Sequence, residues 1–194
     1  MKRLIPLSLL LASLNLLSSA SVQAISIGFS PVNQTLGVGG MGSLDIVVSN
    51  RGGTEIGGFA FDVLFDPAII SPSSVTFGLN LGDPSLFEAL TSSSVVGGDA
   101  NLAEVSLLSV ADLRALQVND SFVLATLNFD ALGAGVSALS FANTDFVDGL
   151  ANDLTVVTQN GSVTVTPEPG TMVLLGSGVV VATLRRWKAR RIVA

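Results

Sequence analysis

Residues 58–65 read Gly-Phe-Ala-Phe-Asp-Val-Leu-Phe, and this stretch decides the fold class. Large apolar residues occupy every second position in it: Phe59, Phe61, Val63 and Phe65. Successive side chains of a β-strand point to opposite faces, so these four share one face, while Ala60 and its alternating neighbours point the other way. The stretch therefore predicts a half-buried β-strand.

Similar short alternations extend outward from this strand in both directions. Strands are predicted near residues 25–30, 44–48, 75–78, 94–96, 104–108, 121–129, 137–141, 154–158 and 161–166. Residues 121–129 are apolar on both faces apart from Thr126 and Asn128, which predicts a central strand. Turn signals such as Arg51-Gly52-Gly53 and Asn160-Gly161 separate the strands.

One helix interrupts the strand pattern. Ser109 is a good N-cap for residues 110–116, and Asp112 lies three residues on, as in a capping box. Many short strands with so little helix favour an all-β, antiparallel sandwich or jelly roll of about nine strands over a parallel α/β sheet. A closed barrel is the alternative that the pattern leaves open.

The N-terminal 24 residues have the order of a secretory signal peptide. Lys2 and Arg3 precede an apolar run at residues 4–17, and small and polar residues then lead to Ala24. The run is shorter than the ~20 apolar residues that span a bilayer. We therefore expect a signal helix in residues 1–24, cleavage by signal peptidase after Ala24, and a mature chain that begins at Ile25.

The C-terminal 28 residues, 167–194, form a second targeting segment. Pro167-Glu168-Pro169 stops regular strand pairing, and residues 171–184 carry no charge. A basic cluster follows within residues 185–191: Arg185, Arg186, Lys188, Arg190 and Arg191. Because basic flanks stay in the cytoplasm, residues 171–184 are expected to form a transmembrane helix with the body, residues 25–166, outside.

The charge of the body excludes one class of partner. Residues 25–166 contain two bases, Arg51 and Arg114, and fourteen acids, a difference of −12, although the whole chain has a net charge of −6. Nucleic-acid affinity depends on Lys and Arg side chains that neutralise phosphates. The body is therefore not expected to bind nucleic acid.

The residue types that are absent exclude much catalytic chemistry. The chain has no Cys, His or Tyr, and its single Trp187 lies in the tail. Ser-His-Asp and Cys-His nucleophiles and His- or Cys-based zinc sites are thus excluded. The most suggestive carboxylate pair, Asp62 and Asp66, is four strand residues apart, roughly 13 Å, beyond the ~5–9.5 Å of glycosidases. No catalytic residue is assigned.

Calcium is the one cofactor that the sequence leaves open. Asp145, Asp148 and Asp153 lie close together in the chain, with Asn152 beside them, and can supply oxygen ligands. Their spacing does not match an EF-hand loop, and a solvated turn explains them equally well.

The C-terminal segment resembles the PEP-CTERM sorting signal of Gram-negative bacteria. The resemblance rests on the Pro-Glu-Pro triplet, the apolar segment and the basic cluster, in that order. It implies recognition of Pro167, Glu168 and Pro169 by an exosortase, a membrane-embedded transpeptidase-like enzyme. The domain would be held transiently at the inner membrane, and then passed to the cell surface or secreted matrix.

The body is similar to cohesin-like domains of the carbohydrate-binding-module superfamily, chiefly over residues 38–48 and 58–68. The resemblance implies a jelly-roll sandwich that binds a dockerin or a polysaccharide. The sequence thus favours a non-catalytic surface or matrix module for adhesion or protein interaction. A secreted module that binds envelope or matrix polysaccharide is the alternative, and a carboxylate-based hydrolase is a more distant one.

Overall fold

Eleven strands account for most of the folded chain. The structure, a computed structural model, describes residues 24–167 together with Gly170 and Ser177. The strands are β1 Ile25–Ser30, β2 Asn33–Gly37, β3 Met41–Ser49, β4 Gly58–Leu64, β5 Ile70–Phe77, β6 Ala89–Val96, β7 Asp99–Ser106, β8 Phe122–Ala131, β9 Gly135–Val147, β10 Val156–Thr158 and β11 Gly161–Thr166. Helix α1 spans Val110–Leu116, and a 3-10 turn spans Pro84–Leu86.

The strands form two sheets that share one core. The five-stranded sheet has the order β10-β1-β3-β8-β5, and the six-stranded sheet has the order β2-β11-β9-β4-β7-β6. Neighbours pair antiparallel except at two places, where β1 pairs parallel with β10 and β2 pairs parallel with β11. At the N-terminus, β1 lies in the five-stranded sheet and β2 in the six-stranded sheet. At the C-terminus, β10 lies in the five-stranded sheet and β11 in the six-stranded sheet.

Strand β4 supplies the centre of the core. Phe59, Phe61 and Val63 are each at most 3% exposed. The Phe61 ring stacks on that of Phe146 in β9, with centroids 6.2 Å apart, and Phe59 stacks on Phe77 of β5, in the opposite sheet, at 6.3 Å. Aromatic pairs at these separations add to the area that the rings bury. This cluster therefore joins the two sheets.

The predicted all-β sandwich is confirmed, but two features differ from the expectation. The described residues form eleven strands and not nine: β2, with the sequence Asn-Gln-Thr-Leu-Gly, contains one large apolar residue and so lacks the alternation that marks the others. Two strand pairs are also parallel, because the terminal strands cross between sheets. Two separate sheets rule out the closed barrel.

The predicted helix forms where its cap was expected. Ser109 Oγ accepts a hydrogen bond from Asp112 N at 3.3 Å, and Val110–Leu116 is helical. Apart from Ala24 and Ser177, the predicted signal helix and transmembrane helix fall on residues outside the described part of the chain. Within that part, no helix has both the length and the apolar character needed to cross a bilayer.

Replacing Phe61 by Ala should destabilise the fold far more than the same change at Phe87, which is 82% exposed. Phe61 is fully buried, so Phe61→Ala leaves a cavity and should lower the free energy of unfolding by about 3–5 kcal/mol. Phe87→Ala should change it by less than about 0.5 kcal/mol. Urea denaturation followed by circular dichroism measures both. Equal losses for the two variants would contradict the assigned core.

Candidate interaction face and sorting segment

The outer face of the six-stranded sheet is built by the residues that alternate with the core. On β4 these are Gly58, Ala60, Asp62 and Leu64. On β7 they pair respectively with Val105, Ala103, Asn101 and Asp99, and on β6 the row continues with Leu90, Ser92, Ser94 and Val96. We call these twelve residues the outer face. Its centre consists of small side chains, so a partner can approach the backbone closely.

One end of the outer face is apolar. Leu90 and Val105 are directly opposite each other across β6 and β7, and their exposed fractions are 59% and 50%. Phe87 lies just before β6 and is 82% exposed, while Leu107, just after β7, is 55% exposed. Contiguous exposed apolar side chains on a soluble domain are typical of interaction sites.

The middle of the outer face is held by a carboxylate clamp. Asp62 accepts a hydrogen bond from Asn101 Nδ2 on β7 at 2.7 Å and another from Asn143 Nδ2 on β9. Asn143 has a φ of 48°, and it lies where the register of β4 and β9 shifts. Such an irregularity re-aims a side chain, here toward Asp62. The clamp ties three strands together and leaves Asp62 only 6% exposed.

Glu104 lies on the opposite, core-facing side of β7. Its side chain is 1% exposed, and neither carboxylate oxygen has a hydrogen-bond partner. Burial disfavours the charged form and raises the pKa of Glu104 to about 8. The sequence carried a signal for this residue, since Ala100, Leu102 and Glu104 alternate with the exposed residues of β7.

Both bases of the body are used in internal contacts. The Arg51 guanidinium donates to the main-chain oxygens of Gln117 and Asn119 and lies 4.9 Å from the centroid of the Phe122 ring. Burial lowers the pKa of Arg51 from its usual range. Arg114 forms an ion pair with Glu55. The surface that the described residues offer to a partner is therefore predominantly acidic.

The three candidate calcium ligands have separate positions. Asp148 organises its own loop: Oδ1 accepts from Leu150 N and Asn152 N, and Oδ2 accepts from Asn152 Nδ2. These hydrogen bonds, led by that of the Asn152 side chain, lower the pKa of Asp148. Asp145 lies on β9 opposite Ala60, and Asp153 bridges to Val147. Across residues 24–167, no three acidic side chains are grouped so that they could hold a metal ion.

Asp62 and Asp66, the two carboxylates considered for hydrolysis, accept hydrogen bonds from different parts of the chain. Asp62 belongs to the clamp, whereas Asp66 Oδ1 accepts from Ala68 N at 2.9 Å in the turn around Pro67. The turn is anchored by Asp66 N, which donates to Ser137 Oγ at 2.9 Å.

The sorting segment begins where the sheet ends. Val38 N donates to Thr166 O at 3.0 Å, and Thr166 Oγ1 donates to Leu36 O at 3.2 Å, so the last residue of β11 is still held in the sandwich. Pro167 follows at once and is exposed, as is Ala24, which directly precedes β1. Glu168, Pro169, the basic cluster and residues 1–23 lie outside the described residues.

Comparison with protein families identifies the C-terminal segment. Residues 165–191 match the PEP-CTERM protein-sorting motif. The motif indicates an exported protein that is sorted to the cell surface. No curated protein matches the chain significantly.

Solved structures identify the fold. A type I cohesin–dockerin complex from Clostridium thermocellum contains a chain that is 16% identical, with a TM-score of 0.62; the match covers 74% of this chain and 100% of that one. The cohesin module of a family 33 glycoside hydrolase from Clostridium perfringens is 15% identical, with a TM-score of 0.57 and coverages of 76% and 98%. A non-cellulosomal cohesin from the archaeon Archaeoglobus fulgidus is 13% identical, with a TM-score of 0.54 and coverages of 77% and 94%. The sandwich is cohesin-like.

The buried Glu104 should make stability depend on pH in a defined window. In the folded chain the pKa of the Glu104 carboxyl is about 8, whereas an ordinary Glu carboxyl, as in the unfolded chain, has a pKa of 4.5. The folded state binds more protons between these values, so its stability falls as pH rises through the window, by at most about 1.4 kcal/mol per pH unit. Above about pH 8 Glu104 is ionised in the folded and the unfolded state alike, so it no longer changes the stability with pH.

Glu104→Gln should remove that slope, because the amide does not ionise. Urea denaturation at closely spaced pH values from 5 to 9 compares the two proteins, and Glu88→Gln, at a carboxylate that accepts a hydrogen bond from Asp83 N, is the matched control. If wild type and Glu104→Gln lose stability in parallel, the carboxyl is not protonated in the core.

Proposed function

We propose that the chain is a non-catalytic protein-interaction module, exported and sorted to the cell surface or extracellular matrix by an exosortase. One observation carries the proposal: a cohesin-like sandwich runs directly into a PEP-CTERM motif, with β11 ending at Thr166 and the motif match beginning at residue 165. A folded domain placed immediately before a sorting signal is the cargo of that signal.

The route to the surface has two processing steps. Signal peptidase removes residues 1–24 after Ala24. Residues 171–184 then hold the chain in the inner membrane, with the basic cluster inside and the sandwich outside. An exosortase recognises Pro167, Glu168 and Pro169 and passes the sandwich onward. Adhesion or matrix assembly is the role that this destination serves.

The outer face is the proposed contact surface. Its small central residues admit a flat partner, and Leu90 and Val105 supply an apolar anchor at one end. The partner should be a protein with an apolar centre and basic residues around it, because both body arginines are occupied and the remaining charge is acidic. Solved cohesins of this fold occur in complexes with dockerins, which agrees with a protein partner.

A polysaccharide ligand is the second candidate, and the other sheet favours it. On the outward side of the five-stranded sheet, Thr126 Oγ1 donates to Asp45 Oδ1 at 2.7 Å and Asn128 Nδ2 donates to Ser74 Oγ at 3.1 Å. Rows of hydroxyl, amide and carboxylate groups can bind sugar hydroxyls. Stacking platforms are less evident, since Phe87 is the one strongly exposed aromatic side chain in residues 24–167.

Replacing Pro167 and Glu168 together by Ala should trap the protein at the inner membrane. In a host with the matching exosortase, wild type should be found in the surface or released fraction, whereas the variant should stay with the inner membrane because its motif is no longer recognised. Thr164→Ala, on the strand just before the motif, is the control for folding. Unchanged release of the double variant would refute exosortase recognition.

Photo-crosslinking can locate the partner. A crosslinking residue at Ala103, on the outer face, should capture a protein in the native envelope, whereas the same residue at Asn128, on the other sheet, should not. Leu90→Glu should abolish the crosslink by placing a charge in the apolar anchor. Capture from Asn128 alone, together with retention of the protein on insoluble polysaccharide, would favour the glycan candidate.

A further inference from the structure

The end of the sandwich from which the tail leaves carries three exposed apolar side chains. Met41 begins β3, Leu132 follows β8, and Val136 is the second residue of β9; they are 82%, 52% and 61% exposed. We call these three residues the exit rim. Exposed apolar side chains that gather at one end of a domain are candidates for a contact surface.

The backbone places the exit rim around Thr166. Gly39 N donates to Ala131 O, next to Leu132, and Val38 N donates to Thr166 O, so the turn before Met41 links the end of β8 to the end of β11. Val136 pairs directly with Thr164 on β11. The exit rim therefore borders the last hydrogen-bonded residue of the domain.

The charged residues at this end of the sandwich are acidic. Among the described residues at this end, three acids are present, Asp66, Asp99 and Asp130, and there is no Lys or Arg. The two body arginines and helix α1 lie at the opposite end, before β8 begins. A surface with apolar side chains and some negative charge suits neutral lipid head groups better than anionic ones, which would repel it.

The short linker between Thr166 and the apolar residues 171–184 keeps this end of the sandwich near the bilayer. Only residues 167–170 separate Thr166 from the apolar residues 171–184, and extended chain spans at most about 3.6 Å per residue, or about 18 Å over the five steps. The head-group layer on each side of the hydrocarbon core is itself roughly 5–7 Å thick. While the tail is in the membrane, Thr166 must therefore lie within about 11–13 Å of the lipid head groups, and the exit rim borders Thr166.

We propose that the exit rim is a membrane-contact surface that docks the sandwich, end-on, against neutral lipid head groups until the chain is processed. Met41 and Leu132 insert among the head groups, and the outer face stands clear of the membrane. This inference rests on the proposed function, because it requires the tail to be anchored in the bilayer. It adds an orientation and a lipid partner that the sorting motif does not supply.

The chain has no cysteine, so single fluorophores can be placed at Met41→Cys and at the control site Val118→Cys, which is 81% exposed. Val118 precedes β8 and Met41 lies near its end, so the two sites are separated by the ten-residue strand, about 30 Å. The full chain is reconstituted in phosphatidylcholine vesicles that carry a nitroxide on the lipid head group. Quenching should be several-fold stronger at residue 41 than at residue 118.

A second pair of variants separates contact from mere tethering. In the Met41-labelled chain, Leu132→Asp should reduce the quenching several-fold, whereas Leu79→Asp, at a 62% exposed leucine of the opposite end, should leave it unchanged. Thermal unfolding by circular dichroism checks that both variants stay folded. Equal effects of the two substitutions would overturn the contact.

Vesicle flotation distinguishes this inference from the proposed function. A chain that floats with the vesicles but is quenched no more at residue 41 than at residue 118 overturns the docking and leaves the anchored tail standing. A chain that does not float removes both. Protection of the label from iodide only in native membranes that contain the sorting enzyme, and not in vesicles, would assign the exit rim to a protein and overturn the lipid partner.

Discussion

The burial of Phe59, Phe61 and Val63 between the two sheets is the constraint on which the rest of the structure depends. Strand β4 lies inside the six-stranded sheet, with β7 and β9 on either side. Because side chains alternate, the burial of one set fixes which residues face outward, and a slip of one residue would exchange the two faces. The core therefore determines the outer face, including its small centre and the position of Asp62.

The outer face then gains its rigidity from residues that are distant in the chain. Asn101 and Asn143 meet Asp62 only because β7 and β9 flank β4. Beneath the same face, Glu104 keeps an unpaired carboxyl in the core, at a cost that polar burial normally imposes. This carboxyl makes the stability of the fold decrease as the pH rises from about 4.5 to about 8.

The sequence alone predicted those features that depend on local pattern. Residues 58–65 and 161–166 alternate clearly, and Ser109 with Asp112 marks the start of α1, so these elements were placed within a residue or two. Strand β2 was missed because only Leu36 in it is large and apolar. The parallel pairs and the Asp62 clamp could not be predicted, because they depend on which distant strands become neighbours. The same holds for the exit rim, whose members come from two distant parts of the chain.

We propose that one sandwich is carried to the surface by a signal that begins where its last strand ends. The intact mass of the protein recovered from the envelope or the medium of its own host tests this most directly. We expect a chain that begins at Ile25, ends near residues 167–169 and lacks the basic cluster. A surface protein that retains residues 185–191, or that begins at Met1, would contradict it.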